Sequence, residues 1–376
     1  MQKQKIVSQE TDKNILFTAY PGLCDKLSYI HLTDVPTPIH ECKKLSEQLG
    51  INLFVKQDGL SGPYDEFGQR LVGGNKVRKL QYFLADALAQ QCSTVITLGY
   101  LGSNHALQTA VYAKRLGLKC ITILKPQPNS PLVRKNLLLQ KAFGAHMLLT
   151  NFCRSLREFP VEVLLELKQQ EEGKTPYLVP LGGSSALGSI GYVQAVFELQ
   201  EQIQQGLMPH PNHMYVTLGS GGTAAGILVG IKLLGLRTKL HLIIDEPENI
   251  PGFMENIMTQ LFEETATLLH TLDKTIPLVR LAKEDYIIDS SYTGTGYGVE
   301  TSECLASMNL MQEQENIILD QTYTGKCFAA LCADAKKKHI TETVLFWNTF
   351  CGEDMSDFTR DSNYLSLPQA FHSYFE

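Results

Sequence analysis

Two lysines stand three residues apart in Gly73-Gly74-Asn75-Lys76-Val77-Arg78-Lys79. They open a predicted helix whose apolar face continues through Leu80, Phe83, Leu84 and Leu88. The glycines permit backbone conformations closed to other residues, and Asn75 has the side chain of a good N-cap. Lys76 then falls in the first turn, where the positive end of the helix dipole disfavours an ammonium and lowers its pKa. A free amine in that position can attack an aldehyde. Lys79, one turn further on, is expected to stay charged, so the pair suits an anionic cofactor. The plainer reading of two helical lysines is a solvated face.

Further segments carry groups suited to chemistry. Gly219-Ser220-Gly221-Gly222-Thr223 lies between a predicted strand and a predicted helix, so its small residues let the main chain wrap a phosphate and aim N–H groups at it. It lacks the GKS or GKT ending of an ATP loop and the G-x-G-x-x-G spacing of a dinucleotide loop; a plain tight turn is the alternative. Ser103-Asn104-His105 follows another strand, where Ser103 or Asn104 would cap a helix and face a crevice, or do no more than cap it. Tyr297, in Gly296-Tyr297-Gly298, and Tyr323, in Tyr323-Thr324-Gly325-Lys326, sit at predicted strand-to-helix junctions. Each phenol either points into a cleft or satisfies a buried hydrogen bond. Thr349 follows a last strand and presents a hydroxyl at the same sheet edge.

The elements that must position these groups alternate. Strands are predicted at 93–98, 120–124, 146–149, 214–218, 240–244, 286–288, 317–319 and 343–347. Helices are predicted at 105–116, 131–143, 191–204, 223–234, about 252–270, 299–311 and 324–338. Such β-α-β alternation means parallel sheets covered by helices, and 376 residues exceed one core, so the fold class is α/β with two doubly wound open-sheet lobes. A net charge of -6, without a basic stretch interleaved with aromatics, argues against nucleic acid. Neither an apolar leader nor a stretch of membrane-spanning length is seen, so a cytoplasmic protein off the membrane is expected. The nine cysteines form no Cys-x-x-Cys pair and read as reduced packing residues. His40-Glu41-Cys42 lacks the spacing that places two ligands on one helix face, so no metal is expected.

The runs GGNKVRKL, GSNHA, GSGGT, GYG and YTGK, in this order, resemble the D-cysteine desulfhydrase and 1-aminocyclopropane-1-carboxylate (ACC) deaminase family. These are pyridoxal 5'-phosphate (PLP) enzymes of the tryptophan synthase β-like fold, and the resemblance spans roughly residues 30 to 352. It implies that Lys76 carries PLP on its ε-amino group, with the cofactor in the cleft between the lobes. Lys79 and Gly219, Ser220, Gly221, Gly222 and Thr223 would hold its phosphate, and Asn104 and Thr349 would contact the ring. Ser103, Asn104 and His105 would surround the substrate carboxylate, with Tyr297 and Tyr323 facing the substrate. Lys76, Ser103, Tyr297 and Tyr323 would then be the catalytic set.

The resemblance further implies a discontinuous large lobe of residues 1–80 and 188–376, a small lobe of residues 81–187, and a homodimer. ACC deaminases of the family carry Glu after the YTGK-type tyrosine and an apolar residue near the ring nitrogen. Thr324 and Thr349 stand at these places here, as in the desulfhydrases. A hydroxyl protonates the pyridine less fully than a carboxylate does, which favours loss of a good β leaving group over cyclopropane opening. D-cysteine or a related β-substituted D-amino acid is therefore the expected substrate, ACC the alternative, and a PLP-binding protein without turnover the third reading. The chain departs from the family at Asn348–Gly352, at Val299-Glu300-Thr301 and in an extended segment, 61–71, all expected around the pocket.

Overall fold

The computed structural model describes residues 14–150, 175–338, 342–360 and 362–376. Cys153 and most of the N-terminal segment lie outside them. After α1 (Ile15–Ala19) come β1 (Ile39–Glu41), α2 (Lys43–Leu49), β2 (Asn52–Gln57) and α3 (Asn75–Ala89). Next are β3 (Thr94–Tyr100), α4 (Asn104–Arg115), β4 (Lys119–Lys125), α5 (Pro131–Ala142), β5 (His146–Leu149) and β6 (Tyr177–Val179). The chain goes on through α6 (Ala186–Gln204), β7 (His213–Leu218), α7 (Gly222–Leu234), β8 (Lys239–Ile244) and α8 (Phe253–Leu272). It closes with β9 (Tyr286–Asp289), α9 (Ser302–Glu315), α10 (Thr324–Lys338) and β10 (Thr343–Asn348).

Two sheets result. One has six strands in the order β1-β2-β10-β7-β8-β9, parallel except for the antiparallel edge strand β1. The other has four parallel strands in the order β5-β4-β3-β6. Central strands such as β8 (KLHLII) and β10 (TVLFWN) are nearly continuous apolar runs because helices cover both faces. Helix α7 lies against α6 through Gly226 and Gly230: a Cβ on Gly226 would meet the Ser189 carbonyl at 2.2 Å. The C-terminal Met355, Leu367 and Phe371 pack into the same apolar cluster as Val77 and Leu80 of α3 and residues of α4 and α5.

Several sequence expectations need correction. Residues 317–319 form no strand; Ile317 and Leu319 are buried in the cluster that α2 and α10 share, so the apolar run is a buried connection. The edge strands β1 and β6 were missed, because three residues carry almost no periodic signal, and so was the six-residue interior strand β2, whose apolar run is only Leu53 to Val55. Helix α9 starts at Ser302, behind Thr301, whose side chain accepts the Cys304 N–H. Asn75 is not the cap of α3. Gly74 holds that place at φ 110°, and Asn75 is already helical, its Nδ2 donating to Thr223 Oγ1 at 3.2 Å.

Candidate active site

The carboxyl ends of β3, β7, β8 and β10 open on one cavity of about 410 Å³, the place where open α/β sheets present ligand-binding loops. Its lining includes Lys76, Ser103, Asn104, His105, Gly219, Ser220, Gly221, Thr223, Tyr297, Tyr323 and Thr349. Thus segments more than two hundred residues apart in the chain converge. Lys79 and Gly222 stand just behind that surface.

Lys76 is half-buried, and burial pushes its pKa down to about 8, with the charge of Asp245 acting the other way. The direction is the one the helix start suggests; the cause is desolvation. Burial works against the standing charge expected of Lys79. This lysine is fully buried, its Nζ donates to the Gly182 carbonyl at 3.1 Å and to Ser184 Oγ at 3.4 Å, and burial and then Lys76 hold its pKa well below the usual lysine range.

The phosphate-type loop is built where β7 ends. Gly221 takes φ 90° at the N-terminus of α7, a conformation that suits glycine. Ser184 Oγ meets Ser220 Oγ at 2.7 Å and accepts the Gly222 N–H at 3.1 Å. Facing this loop, a Cβ on Gly182 would collide with Ser220 Oγ at 2.1 Å and stand 3.7 Å from Lys76 Nζ. A loop of small residues thus faces an amine of lowered pKa across a narrow gap. These residues fit a phosphorylated aldehyde.

Ser103 both caps α4, accepting the Ala106 N–H at 3.2 Å, and lines the cleft. Asn104 Oδ1 accepts from Asn136 Nδ2 at 3.1 Å. His105 is buried with Nε2 2.9 Å from Thr97 Oγ1, while its Nδ1 has no partner; burial, Lys76 and Lys79 keep it neutral. Across the cleft the Tyr297 and Tyr323 hydroxyls hydrogen-bond each other, and Tyr297 stacks on Tyr100 at 4.0 Å. Burial raises both pair members well above the usual phenol, so both stay protonated.

Thr324 does not face the cleft. Its Oγ1 donates to Asp320 Oδ1 at 2.6 Å and accepts the Asp320 N–H at 2.8 Å. The Asp320 carboxylate receives the N–H groups of Thr322, Tyr323 and Thr324 at the start of α10. Thr349 alone of the two threonines lines the cavity. Residues 61–71 and 299–301 do not line it, so the segments expected around the pocket reduce to Thr349 and Phe350.

Sequence reasoning missed Tyr100, Gly182, Ser184, Asp245 and Glu246. Asp245 is buried at the end of β8; burial and then Glu246 raise its pKa to about 7, with Lys326 and Lys76 opposing. The rule that ligands bind at strand carboxyl ends, applied to β8 as it was to β3 and β7, points to Asp245.

Below the cleft lies a buried ionic network that no motif announced. Arg78, two residues beyond Lys76, donates to both Asp58 oxygens (3.0 and 2.7 Å) and to Glu198 Oε2 at 2.9 Å. Lys56 completes it at 2.5 Å from Glu198, and Tyr192 and Trp347 donate to Asp58 at 2.5 and 2.8 Å. This clamps α3 to β2, α6 and β10 and so fixes where Lys76 points.

A two-lobed α/β fold with a lysine, a glycine-serine anion loop and paired phenols in one cleft defines a PLP-type enzyme site. Residues 30–349 match the model of the family described as pyridoxal-phosphate dependent enzyme, and the chain belongs to that family, with PLP as its cofactor. It is 35% identical over 333 residues to a Pyrococcus abyssi protein provisionally named 1-aminocyclopropane-1-carboxylate deaminase, covering 87% of this chain and 93% of that one. It is 33% identical over 334 residues to the D-cysteine desulfhydrase of Serratia proteamaculans, covering 85% and 92%. A solved structure described as an ACC deaminase homologue superimposes with TM-score 0.75 at 32% identity, covering 90% of this chain and 95% of that one.

Proposed function

We propose that the enzyme eliminates the β substituent of a small amino acid and deaminates it, D-cysteine being the substrate of choice, with pyruvate, ammonia and sulfide as products. The observation that carries this reading is the meeting of Lys76, the Gly219–Thr223 loop and the Tyr297–Tyr323 pair in one cleft. The relatives' names support the reaction class and leave the substrate between D-cysteine and ACC. Thr349 in the lining, and Asp320 already engaged by three N–H groups, support thiolate loss over ring opening.

When bound, PLP supplies an aldehyde for the substrate amine and an electron sink at the α carbon. Lys76 would hold it, with Gly219, Ser220, Gly221 and Thr223 toward the phosphate and Asn104 and Thr349 toward the ring; Lys79 and Gly222 brace that loop through Ser184. Lys76, close to half deprotonated near pH 8, takes the α proton. Ser103, Asn104 and neutral His105 orient the substrate carboxylate. The protonated Tyr297–Tyr323 pair donates to the departing sulfur. The family resemblance also supports a homodimer, which sedimentation velocity tests.

The deciding assay measures pyruvate from D-cysteine beside 2-oxobutanoate from ACC. Pyruvate in excess is expected. Dominant 2-oxobutanoate makes the protein an ACC deaminase, and a yellow protein that turns over neither ACC nor a panel of D- and L-amino acids is a PLP binder without this activity.

A further inference from the structure

Outside the cleft lining, three side chains of metal-binding type come together where β1 meets the end of α9. His40 lies on β1, and the Cys42 N–H donates to the Leu53 carbonyl at 3.0 Å, extending the β1–β2 ladder by one residue. The premise that His40 and Cys42 cannot share a face holds for a helix. In extended chain, residues two apart point to the same side, and Glu315, the last residue of α9, is brought against them by tertiary packing. His40 Nε2 is 2.8 Å from Glu315 Oε2, and these atoms and Cys42 Sγ all lie within 4.8 Å of one another.

We propose that His40, Cys42 and Glu315 form a binding site for a zinc-class divalent cation. One imidazole nitrogen, one thiolate and one carboxylate oxygen are the donors a borderline-soft ion takes in tetrahedral geometry, with water in the fourth position. Around such an ion, nitrogen and oxygen ligands stand about 3.4 Å apart and sulfur and nitrogen about 3.6 Å, within the observed spread. His40 has only to swing outward from Glu315, and its side chain is 37% exposed on the solvent side. Binding displaces the thiol proton of Cys42 to water and uses a lone pair of the His40 imidazole, so affinity rises with pH. Glu315 Oε1 already accepts the Leu45 N–H at 3.2 Å, which fixes the carboxylate and leaves Oε2 for the ion. The ion would tie β1 and α2 to the end of α9, immediately ahead of residues 316–323, which carry Asp320 and Tyr323 to the cleft.

The test uses tag-free, PLP-loaded protein stripped of metal with a chelator. Zinc is titrated in competition with a chromogenic chelator, cobalt(II) is added separately, and the thermal midpoint is followed in both. One equivalent of zinc, a thiolate-to-cobalt charge-transfer band and a raised midpoint are expected. Cys42→Ser and His40→Gln should each weaken binding by at least about tenfold and abolish the band or the midpoint rise, while the PLP absorbance stays as in the parent. Lys76→Ala should bind zinc like the parent, which separates this site from the cleft. If Cys42→Ser does not fold, the half-exposed His40→Gln decides. The proposal is overturned by no stoichiometric zinc, by unchanged zinc binding in His40→Gln, or by loss of binding in Lys76→Ala. The cluster is then a His40–Glu315 hydrogen bond and a cap for α2.

Discussion

At the scale of single residues the cleft is governed by desolvation. Burial brings Lys76 to about 8, so the fraction present as free amine climbs through neutral and mildly alkaline pH. The rate at which apoenzyme takes up PLP, followed by visible absorbance, should therefore rise with pH and level off above about 8; a rise continuing toward 10.5, the ordinary lysine value, contradicts the assignment. The Tyr297–Tyr323 pair is held protonated by the same burial. Removing either hydroxyl with Tyr297→Phe or Tyr323→Phe should lower kcat on D-cysteine roughly 10²-fold with a smaller change in KM. A raised KM with kcat unchanged would make the phenols binding groups only.

At the scale of elements, α3 carries the site because two features hold its first turn. Gly74 adopts φ 110° beside the Thr349 carbonyl, which a Cβ would meet at 2.8 Å. Gly74→Ala should cost about 1–3 kcal/mol and displace Lys76, so a weakened PLP band is expected in protein that still shows the parent's far-ultraviolet circular dichroism. An unchanged band would show that the turn tolerates the methyl. The second feature is the Arg78–Asp58–Glu198–Lys56 network. Burial alone raises the Glu198 pKa, but Arg78 and Lys56 outweigh it and hold the carboxyl at about 2, below the 4.5 of a free glutamate. Stability from this group is complete above pH 4.5 and is lost as pH falls toward about 2. Glu198→Gln should cost roughly 3–5 kcal/mol at neutral pH, and its deficit in urea unfolding should shrink in that acid window. A deficit constant with pH would remove the charge from the explanation.

At the scale of the whole molecule, the cavity lining is drawn from both sheets, so a ligand in it joins them. PLP at about a hundred times its Kd should add about 2.7 kcal/mol to unfolding, with the four-stranded and six-stranded parts shifting together in hydrogen exchange. Protection confined to one sheet would place the cofactor on that sheet alone. Among the described residues no helix is long and apolar enough to cross a membrane.

What could be read from the chain alone was local. The alternation of apolar runs with helical periods specified an α/β fold, and five glycine-bearing motifs in order specified a PLP enzyme, because glycine at a strand-to-helix turn and lysine in a first turn are short-range constraints. Tertiary structure decided the rest. The charge expected of Lys79 is opposed by packing that closes over it and that a heptapeptide does not show, and Thr324 is turned from the cleft by Asp320 four residues away. Asp245, the Arg78 network and the meeting of His40 and Cys42 with Glu315 depend on contacts between segments as much as 289 residues apart. Such contacts are set by which strands become neighbours in a sheet, and strand order leaves no periodic mark on the sequence.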